Sequence, residues 1–275
     1  MRRPALVFSL LLLVTAAEAA DRRPRILLSN DDGIEAPGLL AAYAELARLG
    51  EVTVAAPAEN QSGVGHGITY VEPIMVKVIE PLARGEGEQG PWYRIAARPA
   101  TCVRLALTSL LPQRPDLVVS GINRGDNAGL TIYISGTVGA AREAAFDGIP
   151  ALAASLVYST RMDYAPGAAV IGRIASEVLK RGLPRGTFLS VNLPAAPITG
   201  IKVVPHSLKA GVDRYERREN PRHEVYYWNL WTEPVDPDPR TDVGALREGF
   251  VAVTPLRIEV NDRGAIADLE GWGLR

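Results

Sequence analysis

The sequence predicts a mostly parallel α/β sheet covered by helices on both faces. Three observations predict it. Short apolar runs alternate with amphipathic helical segments from Ile26 to Leu193, a pattern of strand, helix, strand. Polar, glycine-containing clusters follow several of the apolar runs, where such sheets gather their ligands. The composition is globular, with 275 residues, 47% hydrophobic and 22% charged, enough apolar material for a full core.

Each element has a local reason. Ile26-Leu27-Leu28-Ser29 reads as a buried strand ending in the acidic turn Asn30-Asp31-Asp32-Gly33. Pro37 opens a helix with Leu39, Leu40, Tyr43, Leu46 and Ala47 on one face, and Gly50 stops it. Val52-Thr53-Val54-Ala55-Ala56 completes a βαβ unit. Residues 99–111 read as a mostly buried helix bounded by Pro112, and Leu117-Val118-Val119-Ser120 as a strand. A small-residue helix over 137–146 precedes the strand Ala151-Leu152-Ala153-Ala154-Ser155. Residues 166–181 form a helix, with Val170, Ile174, Val178 and Leu179 inward and Gly182 as its cap, before a strand over 188–193. From about residue 200 the texture changes. Charge, aromatics and proline over 215–242 suit hairpins or an extended arm, and a strand returns over 250–255.

The first twenty residues read as a cleaved export leader. Arg2 and Arg3 precede an uncharged apolar stretch, and Ala17-Glu18-Ala19 offers a small-residue cleavage site. Residues 21–275 are then one domain, exported to a periplasm or beyond, with no later segment apolar enough to span a membrane. A net charge of −1 offers no excess of cations for a nucleic-acid backbone, which argues against a polymer partner. The single cysteine, Cys102, excludes an intrachain disulfide and a cysteine zinc site.

The chemistry is expected at three clusters brought to one rim: Asn30-Asp31-Asp32-Gly33, Asn60-Gln61-Ser62-Gly63, and the run from Gly121 to Asn127. Two adjacent carboxylates with no cation in their turn repel, and a divalent ion holds both ionised. Oxygen donors from Asp, Ser and Asn suit Mg²⁺ or Mn²⁺. Ser135-Gly136-Thr137-Val138-Gly139 leads into a helix, so backbone N–H groups and two hydroxyls form an anion cradle. A cation beside an anion cradle is a layout for phosphoester hydrolysis.

These motifs resemble the SurE (survival protein E) family of metal-dependent nucleotidases, over nearly the whole span from Ile26 to Leu256. The resemblance rests on Ile-Leu-Leu-Ser-Asn-Asp-Asp-Gly-Ile at 26–34, Ala-Pro-x-x-Asn-Gln-Ser-Gly at 56–63, Ser120-Gly121-Ile122-Asn123 with Gly125 and Asn127, and the segment Ser135-Gly136-Thr137-Val138-Gly139-Ala140-Ala141. It implies a three-layer, Rossmann-like α/β/α fold with a mixed sheet. It also implies that Asp31, Asp32, Ser62 and Asn123 hold one divalent metal ion per subunit, and that Asn127, Ser135, Gly136 and Thr137 contact phosphate. The implied substrates are nucleoside 5′- and 3′-monophosphates. The implied assembly is a homodimer or homotetramer through an arm over residues 206–240. Three departures stand out: Ile134 where the family usually has Tyr, Ala58-Glu59 in place of Asp-Arg, and Ala97-Arg98 in place of Gly-Thr.

Asp31 and Asp32 are the expected catalytic pair, anchoring the cation while one accepts a proton from attacking water; Asp31 as nucleophile is the alternative. His66 is open between a general acid or phosphate contact and a loop histidine bonded to nearby backbone. Arg124 and Arg142 flank the phosphate region, as clamps or as partners of Asp126 or Glu143. Tyr226, Tyr227 and Trp228 read as arm packing ahead of base stacking. Two other function classes fit the same residues: a broad acid phosphatase or exopolyphosphatase, and an exported receptor that binds a phosphorylated ligand without turnover.

Overall fold

The computed structural model describes residues 22–86, 89–195, 197–209 and 211–274. The expected leader over residues 1–20 lies outside the described residues. In chain order the elements are β1 (Arg25–Ser29), α1 (Pro37–Leu46), β2 (Glu51–Pro57), β3 (Val76–Ile79), β4 (Trp92–Ile95) and α2 (Pro99–Leu105), which runs on as a π-helical turn (Ala106–Leu110). Then follow β5 (Leu117–Arg124), a 3₁₀ turn (Gly129–Tyr133), α3 (Gly136–Phe146), β6 (Ala151–Leu156), α4 (Ala165–Arg181), β7 (Thr187–Leu193) and β8 (Gly200–Val203). The chain ends with β9 (Val212–Glu219), β10 (Val225–Thr232), α5 (Asp242–Arg247), β11 (Phe250–Arg257) and α6 (Arg263–Glu270).

Nine strands among the described residues form one sheet, in the order β3-β4-β2-β1-β5-β6-β7-β11-β8. From β4 to β7 all neighbours run parallel; β3 on β4 and β11 on β7 are antiparallel, so the sheet is mixed. β1 is central, with Ile26 opposite both Val52 and Leu117. Its continuous apolar run follows from helices on both faces. Leu28 and Ile26 face α1 and α4, packing with Leu39, Tyr43, Ile171 and Ala175. Leu27 faces α2 and α3, packing with Cys102, Val103, Val138 and Ala141. Burying a Leu- or Ile-sized side chain stabilises the fold by roughly 1.5–3 kcal/mol, so these two clusters fix the three-layer α/β/α sandwich.

The differences from expectation have physical causes. β5 does not stop at Ser120; after a register shift it pairs on with β6, Asn123 opposite Ser155 and Arg124 opposite Leu156. Gly121 makes this possible: its φ is +130°, and a Cβ there would lie 2.2 Å from the Ala154 carbonyl oxygen. β9 and β10 form a separate antiparallel hairpin within the expected arm, with β10 exposed along its whole length. No helix among the described residues is long and apolar enough to cross a membrane.

Candidate active site

The carboxyl ends of β1, β2 and β5 and the N-terminus of α3 meet at one rim. The turn after β1 is locked from within. Asn30 Nδ2 donates to the Gly33 carbonyl at 2.8 Å, Gly33 takes φ +100°, and Ile34 N donates to Pro57 O at 2.9 Å. This turn leaves Asp31 buried, at 3% exposure, directly under α3. Thr137 Oγ1 donates to Asp31 Oδ1 at 2.5 Å. Gly136 presses on the same carboxylate: a Cβ would lie 2.8 Å from Asp31 Cβ and 2.9 Å from its Oδ2. The acid turn and the helix start are therefore one packed unit.

The other expected residues join by short steps. Asp32, half-buried, accepts the Arg124 backbone N–H at 2.9 Å, beside Asn123 on β5. Gln61 N donates to the Asp31 carbonyl at 2.7 Å, which brings the Ser62 loop to the acid turn. Ser62 is exposed, and its N–H and hydroxyl both donate to Asn60 Oδ1, at 2.7 Å each. Asn123 Nδ2 donates to Gly125 O at 2.8 Å. The Ser62 hydroxyl proton and one Asn123 amide hydrogen are engaged, leaving Ser62 Oγ lone pairs and Asn123 Oδ1 to accept.

Ser135 is the N-cap of α3, accepting Val138 N at 3.1 Å and retaining its own hydroxyl proton as a donor. Asn127 sits deeper. Its N–H donates to Asn192 Oδ1 and its Nδ2 to Ser155 Oγ, both at 2.8 Å, so β6 and β7 hold it and one amide hydrogen stays uncommitted.

Electrostatics set the demand for a cation. Burial pushes the Asp31 carboxyl up to about 6; the Thr137 hydroxyl opposes the shift and the Asp32 charge adds to it. Burial also raises Asp32, against the Arg124 N–H and guanidinium. Asp31 thus has a hydroxyl partner but no cationic one among the described residues. No cluster of three His, Cys, Asp or Glu side chains able to hold a metal ion occurs among the described residues. The four expected ligands offer two carboxylates, a hydroxyl and an amide oxygen, donors whose chemistry would suit a hard, oxygen-preferring divalent ion better than zinc.

Several side chains fall outside the site or on its rim. Arg142 lies over the Phe188 ring, 5.8 Å from its centroid, at the start of β7 and away from the strand ends that carry the site. Arg124 lies 5.0 Å from the Tyr158 ring centroid. Ile134 is exposed, but its carbonyl accepts Gly65 N at 2.9 Å, so the departure from Tyr alters a rim side chain and leaves the backbone clasp intact. The neighbouring Tyr133 is also exposed and lies edge-on to His206. Beyond Gln61 opens a groove of about 520 Å³ lined by Glu59, Thr69, Tyr70 and Arg98 among others, which the motifs did not reveal. They also did not reveal the partners of Glu143, which takes His66 and Arg104.

Fold and site together define a class: a Rossmann-like α/β/α protein with a buried acidic turn packed against a helix N-terminus at the strand ends. The chain belongs to the SurE family, since the family model described as Survival protein SurE matches residues 26–214. Among its curated relatives, a 5′-nucleotidase SurE of Rhodopirellula baltica is 43% identical over 256 residues, covering 91% of this chain and 99% of the relative. A 5′-nucleotidase SurE of Moorella thermoacetica is 40% identical over 241 residues, covering 86% and 91%. The crystal structure of the SurE protein from Aquifex aeolicus superposes with a TM-score of 0.79 at 35% identity, covering 90% of this chain and 99% of that one. The expectation of an exported, periplasmic or secreted protein is corrected: these relatives are named as nucleotidases with nothing of export.

Proposed function

We propose that the protein is a metal-dependent phosphomonoesterase, a 5′-nucleotidase that converts nucleoside 5′- and 3′-monophosphates and water to nucleoside and phosphate. The observation that carries this reading is the bond from Thr137 to Asp31, which fuses a helix N-terminus made for an anion to a buried carboxylate that lacks a cation. The names of the relatives, 5′-nucleotidase SurE, support the same activity.

Asp31, Asp32, Ser62 Oγ and Asn123 Oδ1 would hold one divalent ion, Mg²⁺ or Mn²⁺. When bound, such an ion neutralises phosphate charge and lowers the pKa of a water ligand. The chain supplies the rest. Backbone N–H groups at the start of α3, with the Ser135 hydroxyl, take the phosphoryl oxygens as their charge grows. Thr137 contributes its N–H, because its hydroxyl proton already faces Asp31. Asn127 adds its remaining amide hydrogen and is kept from turning by Ser155 and Asn192. One carboxylate of the acid pair accepts the proton of the attacking water, and the leaving alkoxide departs in line and takes a proton from solvent water to become the nucleoside hydroxyl. Direct water attack is favoured over an aspartyl-phosphate at Asp31, whose Oδ1 is engaged by Thr137 and whose other oxygen abuts Gly136.

The nucleoside extends into the groove past Gln61, where Arg98, Thr69 and Tyr70 line a space of about 520 Å³, within the range of small-molecule sites. Residues 21–275 act as one catalytic unit. Its hairpin within 206–240 mediates a homodimer or homotetramer, since an isolated two-stranded ribbon is marginal and this one exposes Tyr226, Tyr227 and Trp228. Phosphate release from 5′-AMP, 3′-AMP, a sugar phosphate and tripolyphosphate tests the reading. The nucleotides should lead in kcat/KM, and EDTA should stop release; equal rates across all four would make it a broad phosphatase.

A further inference from the structure

We propose that His66 and Glu143 are positioning residues that clasp the Ser62 loop onto the flank of α3 and so set the affinity for the divalent ion. This rests on the functional reading above.

The loop over residues 60–67 delivers one expected ligand, Ser62, from an exposed position just ahead of Gly63 and Gly65. Gly63 and Gly65 take φ of +79° and +57°, so the backbone explores more conformations than most when released. Its leading side is tied to Asp31 through Gln61 N. Its trailing side is tied by Gly65 N to Ile134 O and by the His66 side chain. His66 Nε2 lies 2.8 Å from Glu143 Oε2, and its ring stacks on Phe146 with centroids 5.1 Å apart. Both partners are on α3, Glu143 about 10 Å along the axis from Gly136 at 1.5 Å per residue. The imidazole is thereby drawn down the helix flank, away from the phosphate cradle at its start, which argues against a general acid.

Glu143 serves more than His66. Its side chain is 7% exposed, and Arg104 of α2 donates Nε to Oε1 at 2.5 Å and Nη2 to Oε2 at 3.2 Å. Burial pushes Glu143 up, but the hydrogen bonds from His66 and Arg104 outweigh it and hold the carboxyl below its ordinary value. One buried carboxylate therefore joins the loop, α2 and α3. The backbones interlock at the same place: a Cβ on Gly139 would lie 2.7 Å from Gly65 O and 3.1 Å from His66 Cα. Groups that orient a metal ligand from behind are worth about 10–100-fold in metal affinity.

The test is calorimetric titration of Mn²⁺ into the EDTA-stripped full chain, with kcat then measured at saturating Mn²⁺. His66→Ala should weaken Mn²⁺ binding about tenfold, and Glu143→Gln should weaken it in the same direction. His66→Gln should recover most of the loss, because its amide still donates to Glu143. Phe146→Ala, which removes the ring contact but keeps the hydrogen bond between His66 and Glu143, should lower Tm and leave Mn²⁺ affinity unchanged. Saturating Mn²⁺ should restore the kcat of His66→Ala with an unaltered pH profile. Unchanged Mn²⁺ affinity in both His66→Ala and Glu143→Gln overturns the proposal. So does a kcat that stays a hundredfold down at saturating Mn²⁺, or a pH profile that loses a limb, either of which makes His66 catalytic. Wild-type protein that takes up no Mn²⁺ overturns the functional reading itself, and this inference with it.

Discussion

Asp31→Asn should make the metal-free protein more stable while abolishing its activity. Burial holds the Asp31 carboxyl at about 6 against an ordinary 3.8, a gap of roughly two pKa units, or about 3 kcal/mol at 1.36 kcal/mol per unit. The sign follows from the direction. A group whose folded pKa is raised contributes stability that is complete below the unfolded value and is lost as pH rises through the folded one. Metal-free wild type should thus weaken between about pH 4 and pH 6 and stay weakened above. Asparagine carries no charge to desolvate, and its Oδ1 still accepts from Thr137 Oγ1. In EDTA at pH 8 the variant should melt about 6–12 °C above wild type, at 2–4 °C per kcal/mol for a domain of this size. At pH 4 the two should nearly coincide. Adding Mn²⁺ at a hundred times its Kd should raise wild type by about 2.7 kcal/mol and the variant by far less. Scanning calorimetry at both pH values decides it. A variant that melts at or below wild type at pH 8 would refute the argument that Asp31 is a buried charge awaiting a cation.

Three further outcomes follow from the geometry. Gly136→Ala places a methyl 2.8 Å from Asp31 Cβ, so α3 must shift; kcat/KM should fall at least about a hundredfold and inhibition by inorganic phosphate should weaken in parallel, both read by steady-state kinetics. Arg98→Ala removes a cation from the groove wall; KM for 5′-AMP should rise several-fold with kcat little changed, and KM for a small alkyl phosphate should not move. Trp228→Asp on the exposed face of β10 should shift the native mass to that of one 29.5 kDa chain in light scattering, leaving the far-UV circular dichroism unchanged.

The legible parts of the chain are those whose local chemistry and tertiary role coincide. β1 and β6 lie under helices on both faces, so they appear as unbroken apolar runs; α4 has one apolar face and a glycine stop. β3 and β4 were missed because Val-Lys-Val-Ile and Trp-Tyr-Arg-Ile are four-residue segments with polar members toward the sheet edge. The end of β5 reads as a loop, since Gly121 and Asn123 disfavour a strand; pairing with β6 and the Asp32 carboxylate on the Arg124 N–H hold it extended. α5 and α6, of six and eight residues, are too short for a periodic pattern to declare itself. In the candidate site, Asp31-Asp32 and Ser135-Gly136-Thr137 stand out in the sequence because each is contiguous. The bond between them spans 106 residues, and that from His66 to Glu143 spans 77, so neither leaves a spacing to recognise. The third departure, Arg98, gains meaning only from the groove it lines.

The central claim is that the buried acid pair and the helix start form one phosphate-cleaving site. Its most direct test is phosphate release from 5′-AMP by the full chain and by Asp32→Asn, each with Mn²⁺ and with EDTA, alongside nucleotide binding by calorimetry. The account predicts release by wild type with Mn²⁺ alone, none by the variant, and retained folding in both. Nucleotide that binds to folded wild type without any phosphate release would contradict it and leave a receptor in place of an enzyme.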